Sequence, residues 1–169
     1  MLEVIRLTTL VAATVIVGLV AGLFFAFAVS VMPGLGRSDS RTFIEAMQHI
    51  NVAILNPLFA ASFVGAPVLT GAAAALHFRA DGRAVLPWTV AGFALCMVTL
   101  VITIRINVPL NNALDGAGPP DRIADLAGVR ERFEATWVRW NVVRAVASTA
   151  ALGCLAWALV LYGRATAAP

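Results

Sequence analysis

A chain of 169 residues is long enough for one domain, but 60% of it is apolar and only 12% is charged, with a mean hydropathy of +0.88. Soluble domains run at about 45–50% apolar and about 25% charged, so too little polar surface is present to cover a water-facing globule. The formal charge of +3 comes from twelve arginines and no lysine against nine acids, and the arginines lie singly or in pairs between apolar runs. A phosphate-binding surface needs a continuous positive stripe, which excludes a nucleic-acid partner. The composition is that of an all-α, polytopic integral membrane protein.

The charge-free stretches are 7–36, 50–78, 84–104 and 145–163. An apolar core of roughly 30 Å takes about 20 helical residues, so each stretch crosses once and none crosses twice. The expected result is one transmembrane domain, 1–169, a four-transmembrane-helix bundle with spans at 7–32, 55–78, 86–106 and 141–162. The first run continues past the small-x-small triplet Ala26-Phe27-Ala28, which argues against removal as a signal peptide. Pro33-Gly34 predicts the end of that helix near Val31 or Met32. Gly18, Gly22 and Ala26 on the first span, and Gly71 and Ala75 on the second, set small residues four apart, as close helix packing requires, or Gly18 and Gly22 leave room for a flat ligand.

Between the first two spans, Phe43, Met47, Ile50 and Ile54 recur at spacings of four, three and four. This predicts an additional amphipathic helix over 38–53, capped by Ser38 or Asp39, which lies at the interface or extends the second span. Pro57 and Pro87 open the second and third spans, and Pro67 predicts a kink inside the second. The connection 107–140 breaks at Gly116-Ala117-Gly118-Pro119-Pro120, then resumes a helical period through Ile123, Leu126, Val129, Phe133, Trp137 and Trp140. It reads as a partly helical large loop that can join the fourth span as one helix from Pro120 to Leu161.

Four crossings put both termini on one side, marked by Arg6, Arg79, Arg83 and Arg164. Raw arginine counts favour the large loops inside, whereas the tight hairpin Arg79–Arg83, short and close to both its spans, favours the termini inside. We take the second orientation, in a bacterial cytoplasmic membrane among its lipids. Cys96 and Cys154 fall inside spans and read as unpaired apolar filler. With no CxxC pair and no Cys/His cluster, neither a metal nor another cofactor is expected.

The informative polar residues converge on the large-loop side. His49 lies on the amphipathic helix, where a lone histidine serves as an interfacial group or as a general base, since imidazole titrates near neutrality. Gln48, Asn51 and Asn56 can orient it or a substrate oxygen, and His77, at the other end, reads as interfacial. If 105–112 is helical, Asn107 and Asn111 share a face that Arg105 does not. These asparagines either cap the third span among headgroups or hold a polar ligand beside Pro109. Trp137, Trp140, Asn141 and Arg144, at spacings 0, 3, 4 and 7, share a face where the fourth span enters the membrane. That face is an aromatic belt with a snorkelling arginine, or a site where indoles flank an aromatic substrate and Arg144 meets an enolate or phenolate oxygen.

Taken in order, several segments resemble one family. They are Gly22-Leu23-Phe24-Phe25-Ala26-Phe27, Val31-Met32-Pro33-Gly34-Leu35, Met47-Gln48-His49-Ile50-Asn51, Asn107-Val108-Pro109-Leu110-Asn111 and Trp137-Val138-Arg139-Trp140-Asn141-Val142-Val143-Arg144. The chain is similar, over nearly its whole length, to the anthrone oxygenase-like family of small four-helix membrane proteins. The resemblance implies cofactor-independent oxygenation of an anthrone carbon by a monooxygenase that uses only molecular oxygen and a hydrophobic aromatic substrate. By the same resemblance His49 is the base, Asn51, Asn107, Asn111 and Arg144 are oxyanion donors, and Trp137 and Trp140 are walls, with Gln48 and Asn141 also on the substrate. Two other classes stay open: a noncatalytic membrane binding or accessory protein, and a small transporter or channel. A transporter would show ionisable groups at midspan, where this chain has hydroxyl side chains such as Ser62, Thr70 and Thr99.

Overall fold

The computed structural model describes residues 1–78 and 83–167. Arg79 and Asp81 of the tight hairpin lie outside the described residues. Helix α1 (Leu2–Ala26) passes through a π-helical turn (Phe27–Val31) into the single turn α2 (Met32–Leu35), followed by α3 (Ser40–Ala53) and α4 (Pro57–Leu76). Helix α5 (Leu86–Ile102) passes through a second π turn (Thr103–Asn107) into α6 (Val108–Gly116), and after a 3-10 turn (Pro120–Arg122) comes α7 (Leu126–Ala167). Four rods, Leu2–Leu35, Pro57–Leu76, Leu86–Gly116 and Leu126–Thr166, are long and apolar enough to cross a membrane. The protein is an all-α integral membrane protein with one further amphipathic helix, α3, and a partly helical large loop.

Helix α1 packs on α4 and α7, and α5 packs on the same two, so the four rods close into a ring. Lipid gives helices no hydrophobic reason to associate, so close approach of small residues matters. A Cβ on Gly92 would come 3.3 Å from Leu155, and one on Gly71 would come 3.3 Å from Phe93. At one end of the ring Tyr162 donates its hydroxyl to the Glu3 carbonyl at 2.9 Å, and Arg6 Nε donates to the Leu76 carbonyl at 2.8 Å. Both termini therefore share an end. His77, expected at an interface, is buried there, with Nδ1 2.7 Å from the Ala73 carbonyl and its ring edge-on to Tyr162. Cys96 and Cys154 are free thiols.

At the opposite end, α7 outruns the bilayer. Its 42 residues span roughly 63 Å at 1.5 Å each, about twice a hydrocarbon core. Helix α3 packs on the projecting half, burying Phe43, Ile44 and Met47 in a cluster with Phe133 and Trp137. The amphipathic segment is thus a separate helix and not an extension of the second span. Asp39 caps its start by accepting from the Thr42 backbone N–H at 3.0 Å, and that bond holds the Asp39 carboxyl below its usual range. Asn56 separates it from α4, accepting from the Phe59 N–H and donating to the Ala53 carbonyl, both at 2.9 Å. Arg130 fastens the preceding loop to α7 by donating to the Ser38 and Gly36 carbonyls while pairing with Glu134.

The expected helix ends at Pro33 and after Ile106 do not occur. Each proline follows a π turn, in which Met32 N–H reaches the Phe27 carbonyl and Val108 N–H reaches the Thr103 carbonyl, five residues back. Proline lacks a donor and its ring crowds the carbonyl four residues earlier, and the wider turn relieves that crowding without ending the helix. The long final helix is present, but starts at Leu126, because Pro120–Arg122 forms its own 3-10 turn.

Candidate functional site

Two buried clusters fill the molecule, one within the ring and including Phe24, the other under α3 and including Trp137. Where they meet there is a cavity of about 250 Å³, close to the lower end of small-molecule sites. Both π turns open onto it, supplying Phe27, Thr103 and Asn107. Its floor is buried and is made of Phe24, Thr103, Asn107, Trp137, Asn141 and Arg144. Its sides are Leu23, Phe27, Ile50, Asn51, Ile54, Phe59 and Asn111, all half-buried. Its rim is exposed: Val52 and Leu55 from the α3–α4 junction face Val108, Asn112 and Asp115 of α6.

Arg144 dominates the floor. Its guanidinium carbon lies 4.3 Å from the Phe24 ring centre and 5.3 Å from that of Trp137. It donates to Thr103 Oγ1 at 3.2 Å and to Asn141 Oδ1 at 3.1 Å, both neutral oxygens, and no carboxylate pairs with it among the described residues. A guanidinium has five N–H donors and does not lose its proton, so a desolvated charge with donors to spare faces the cavity. The surrounding rings offset part of the desolvation cost through cation–π attraction, and an anion would offset more.

The other polar side chains are tied to this floor. Asn141 Nδ2 donates to the Phe24 carbonyl at 3.1 Å, Trp137 Nε1 donates to Asn111 Oδ1 at 2.8 Å, and Asn107 Nδ2 approaches the Trp137 carbonyl at 3.5 Å. Four buried side-chain polar atoms in the described residues have no hydrogen-bond partner, and three belong to cavity-lining residues: Asn51 Nδ2, Asn107 Oδ1 and Arg144 Nε. Buried polar groups are normally bonded, so their concentration here marks a place where a ligand would be stabilised.

Of the residues singled out in the sequence, the structure thus brings together Asn51, Asn107, Asn111, Trp137, Asn141 and Arg144 on one cavity. It leaves His49, Gln48 and Trp140 out of the lining. His49 is exposed because it falls two residues from buried Met47, on the far side of α3. Gln48 ties α3 to the end of α6, donating to the Leu114 and Gly118 carbonyls at 2.9 and 3.0 Å. Trp140 lies about 60° round α7 from Trp137, on the side away from Asn141, and Arg139 sits over its ring. Gly18 and Gly22 do not line the cavity either; Gly18 faces Leu152. The sequence argument missed Thr103 and Asp115, although Asp115 continues the four-residue spacing of Asn107 and Asn111.

Among the described residues no group of three or more His, Cys, Asp or Glu side chains comes together to hold a metal ion. No curated protein and no solved structure gives a match to the chain. The family model described as anthrone oxygenase matches residues 57–154, from the start of α4 into α7. The matched stretch carries Phe59, Thr103, Asn107, Asn111, Asp115, Trp137, Asn141 and Arg144, while the segments around Phe24, Phe27 and Asn51 lie before it. As the match takes in more than half of its length, the chain belongs to the anthrone oxygenase family.

Proposed function

We propose that this protein is a membrane-embedded monooxygenase for an anthrone-like, electron-rich aromatic ketone, using molecular oxygen and no cofactor. The observation that carries this reading is Arg144, buried without a carboxylate partner at the floor of a cavity whose surface is mostly apolar. Phe24, Phe27, Ile54, Phe59 and Trp137 suit a flat ring system, and Arg144 suits its ketone oxygen. Loss of a proton from the ring carbon opposite that ketone puts negative charge on the oxygen beside the guanidinium, where the charge is stabilised by preorganised donors. The electron-rich anion passes one electron to O₂, and recombination of the two radicals forms a carbon–oxygen bond. The peroxide anion so formed takes up a proton, and the hydroperoxide then loses water as the second proton leaves that carbon, so one oxygen atom enters the quinone and the other leaves as water. The protein's part is to orient the substrate, accept a proton and hold the anion.

The test is oxygen consumption and quinone formation by detergent-purified protein of measured metal content, with several anthrones, corrected for spontaneous oxidation. A saturable rate above the spontaneous one supports the reading. Saturable binding without turnover moves it to a noncatalytic binding or accessory protein.

A further inference from the structure

Within that proposed reaction, we infer that Asp115 is the group that takes the proton from the substrate carbon. The inference rests on the oxygenase reading for its substrate and on the cavity's own geometry for its residue. Arg144 and Asp115 are the charged residues lining the cavity, one buried in its floor and one exposed at its rim. In an anthrone the acidic methylene stands across the central ring from the ketone oxygen. A substrate with its oxygen at Arg144 therefore turns its C–H bonds toward the rim, where a carboxylate is the group available.

Helical register fixes the carboxylate there. Asn107, Asn111 and Asp115 follow one another at four-residue steps, and the first two are held against α7 by Trp137. Four other acids at this end have tasks of their own, and neither Glu45 nor Glu131 lines the cavity: Asp39 caps α3, Asp121 pairs with Arg41, Asp125 caps the start of α7 through Gly128, and Glu134 pairs with Arg130. Asp115 makes no side-chain hydrogen bond or ion pair among the described residues, which leaves both of its oxygens to accept. Carboxylates perform this proton abstraction elsewhere when an oxyanion partner stabilises the enolate, as in ketosteroid isomerase. In the step, the C–H bond breaks, its electron pair moves through the ring onto the ketone oxygen beside Arg144, and an O–H bond forms on Asp115. Exposure at the rim then lets that proton pass to water, restoring the carboxylate before the next turnover.

The experiment uses full-length protein in detergent with an anthrone as probe. Without oxygen, deuterium exchange from D₂O into the methylene group is followed by NMR; with oxygen, uptake is followed. Both are corrected for spontaneous rates. Asp115→Asn should lower both by about 10²–10⁴-fold with anthrone binding kept within a few-fold, and Asp115→Glu should recover part of the loss. Glu131→Gln, an exposed acid off the cavity, is the control, and Asp115→Ser repeats the measurement should Asp115→Asn misfold. Exchange at the unmodified rate in the Asp115 variants, or a loss of that size in His49→Gln instead, overturns the assignment while leaving the oxygenase reading intact. Exchange without oxygen uptake in the unmodified protein, with that exchange lost in the Asp115 variants, keeps Asp115 as the base and rejects the oxygenase. Neither activity in the unmodified protein rejects both.

Discussion

Trp137 donates its indole N–H to Asn111 at 2.8 Å, and the bond joins two elements that are distant in sequence: the long final helix and the short helix beyond the second π turn. The same tryptophan packs on Phe27 and Phe133, with ring centroids 5.8 and 6.0 Å away. A single side chain therefore closes one wall of the cavity and fixes the register of α6.

Trp137→Phe keeps an aromatic ring but removes the donor, leaving Asn111 Oδ1 without its partner. Because Asn111 is half-buried, the loss should be about 1 kcal/mol, seen as a drop of a few degrees in thermal unfolding in detergent. Asn111→Leu added to it should recover most of that drop, since an apolar pair strands no polar atom. Equal, additive losses in the double variant would show that the bond does not couple the two helices.

Arg144 separates an anchor from a binding site. A snorkelling anchor stabilises insertion, whereas a desolvated guanidinium without a carboxylate partner costs free energy that a ligand anion recovers. Arg144→Met should therefore leave thermal stability unchanged or raised, while lowering anthrone affinity or turnover by at least tenfold. Arg144→Lys should keep insertion but weaken binding, because an ammonium lacks the planar fork that Thr103 and Asn141 orient. Affinity in a direct titration equal to that of the unmodified protein would return Arg144 to the membrane belt.

The number of long apolar helices and the shared end of the termini were legible in the sequence because both follow from uninterrupted apolar length. The floor of the site was legible too, since Trp137, Asn141 and Arg144 share a helical stripe that periodicity exposes. His49 and Trp140 misled for a related reason: each lies close in sequence to an inward-facing residue of its own helix, Met47 on α3 and Trp137 on α7, but round the helix from it, and only the packing of α3 and α6 on α7 shows which edge faces inward. The prolines misled because their effect depends on the preceding turn. Nothing in Phe27–Val31 or Thr103–Asn107 announces a π turn by composition, so Pro33 read as a break and the third span was expected to end near Ile106.

The arrangement of ends is directly testable. Tyr162 meets Glu3 at one end, whereas α3 and the first half of α7 stand at the other. In a protein with Cys96 and Cys154 replaced, single cysteines at Arg83 and Glu131 should react with an impermeant thiol reagent from opposite sides of sealed vesicles. Arg83 belongs with the termini and should label from the cytoplasmic face, the orientation taken from the short hairpin. Labelling of both positions from one face would contradict four crossings.

Pro109 offers the sharpest test of how the backbone shapes the cavity. In the π turn ahead of it, Val108 N–H reaches back five residues to Thr103, and the extra residue in that turn sets the direction of Asn107. Pro109→Ala restores a donor and removes the ring, so an ordinary α-turn, which proline disfavours by about 3 kcal/mol, becomes available. Reversion to that turn would rotate Asn107 by about 100° relative to Arg144 and shift the register of Asn111 and Asp115 with it. The variant should thus be at least as stable to heat as the unmodified protein and yet lose tenfold or more in anthrone binding or turnover. Such a trade is expected where a local backbone irregularity is kept for a site. Unchanged stability with unchanged binding would mean that the π turn persists without the proline and that Asn107 is held by its contact with the Trp137 carbonyl alone.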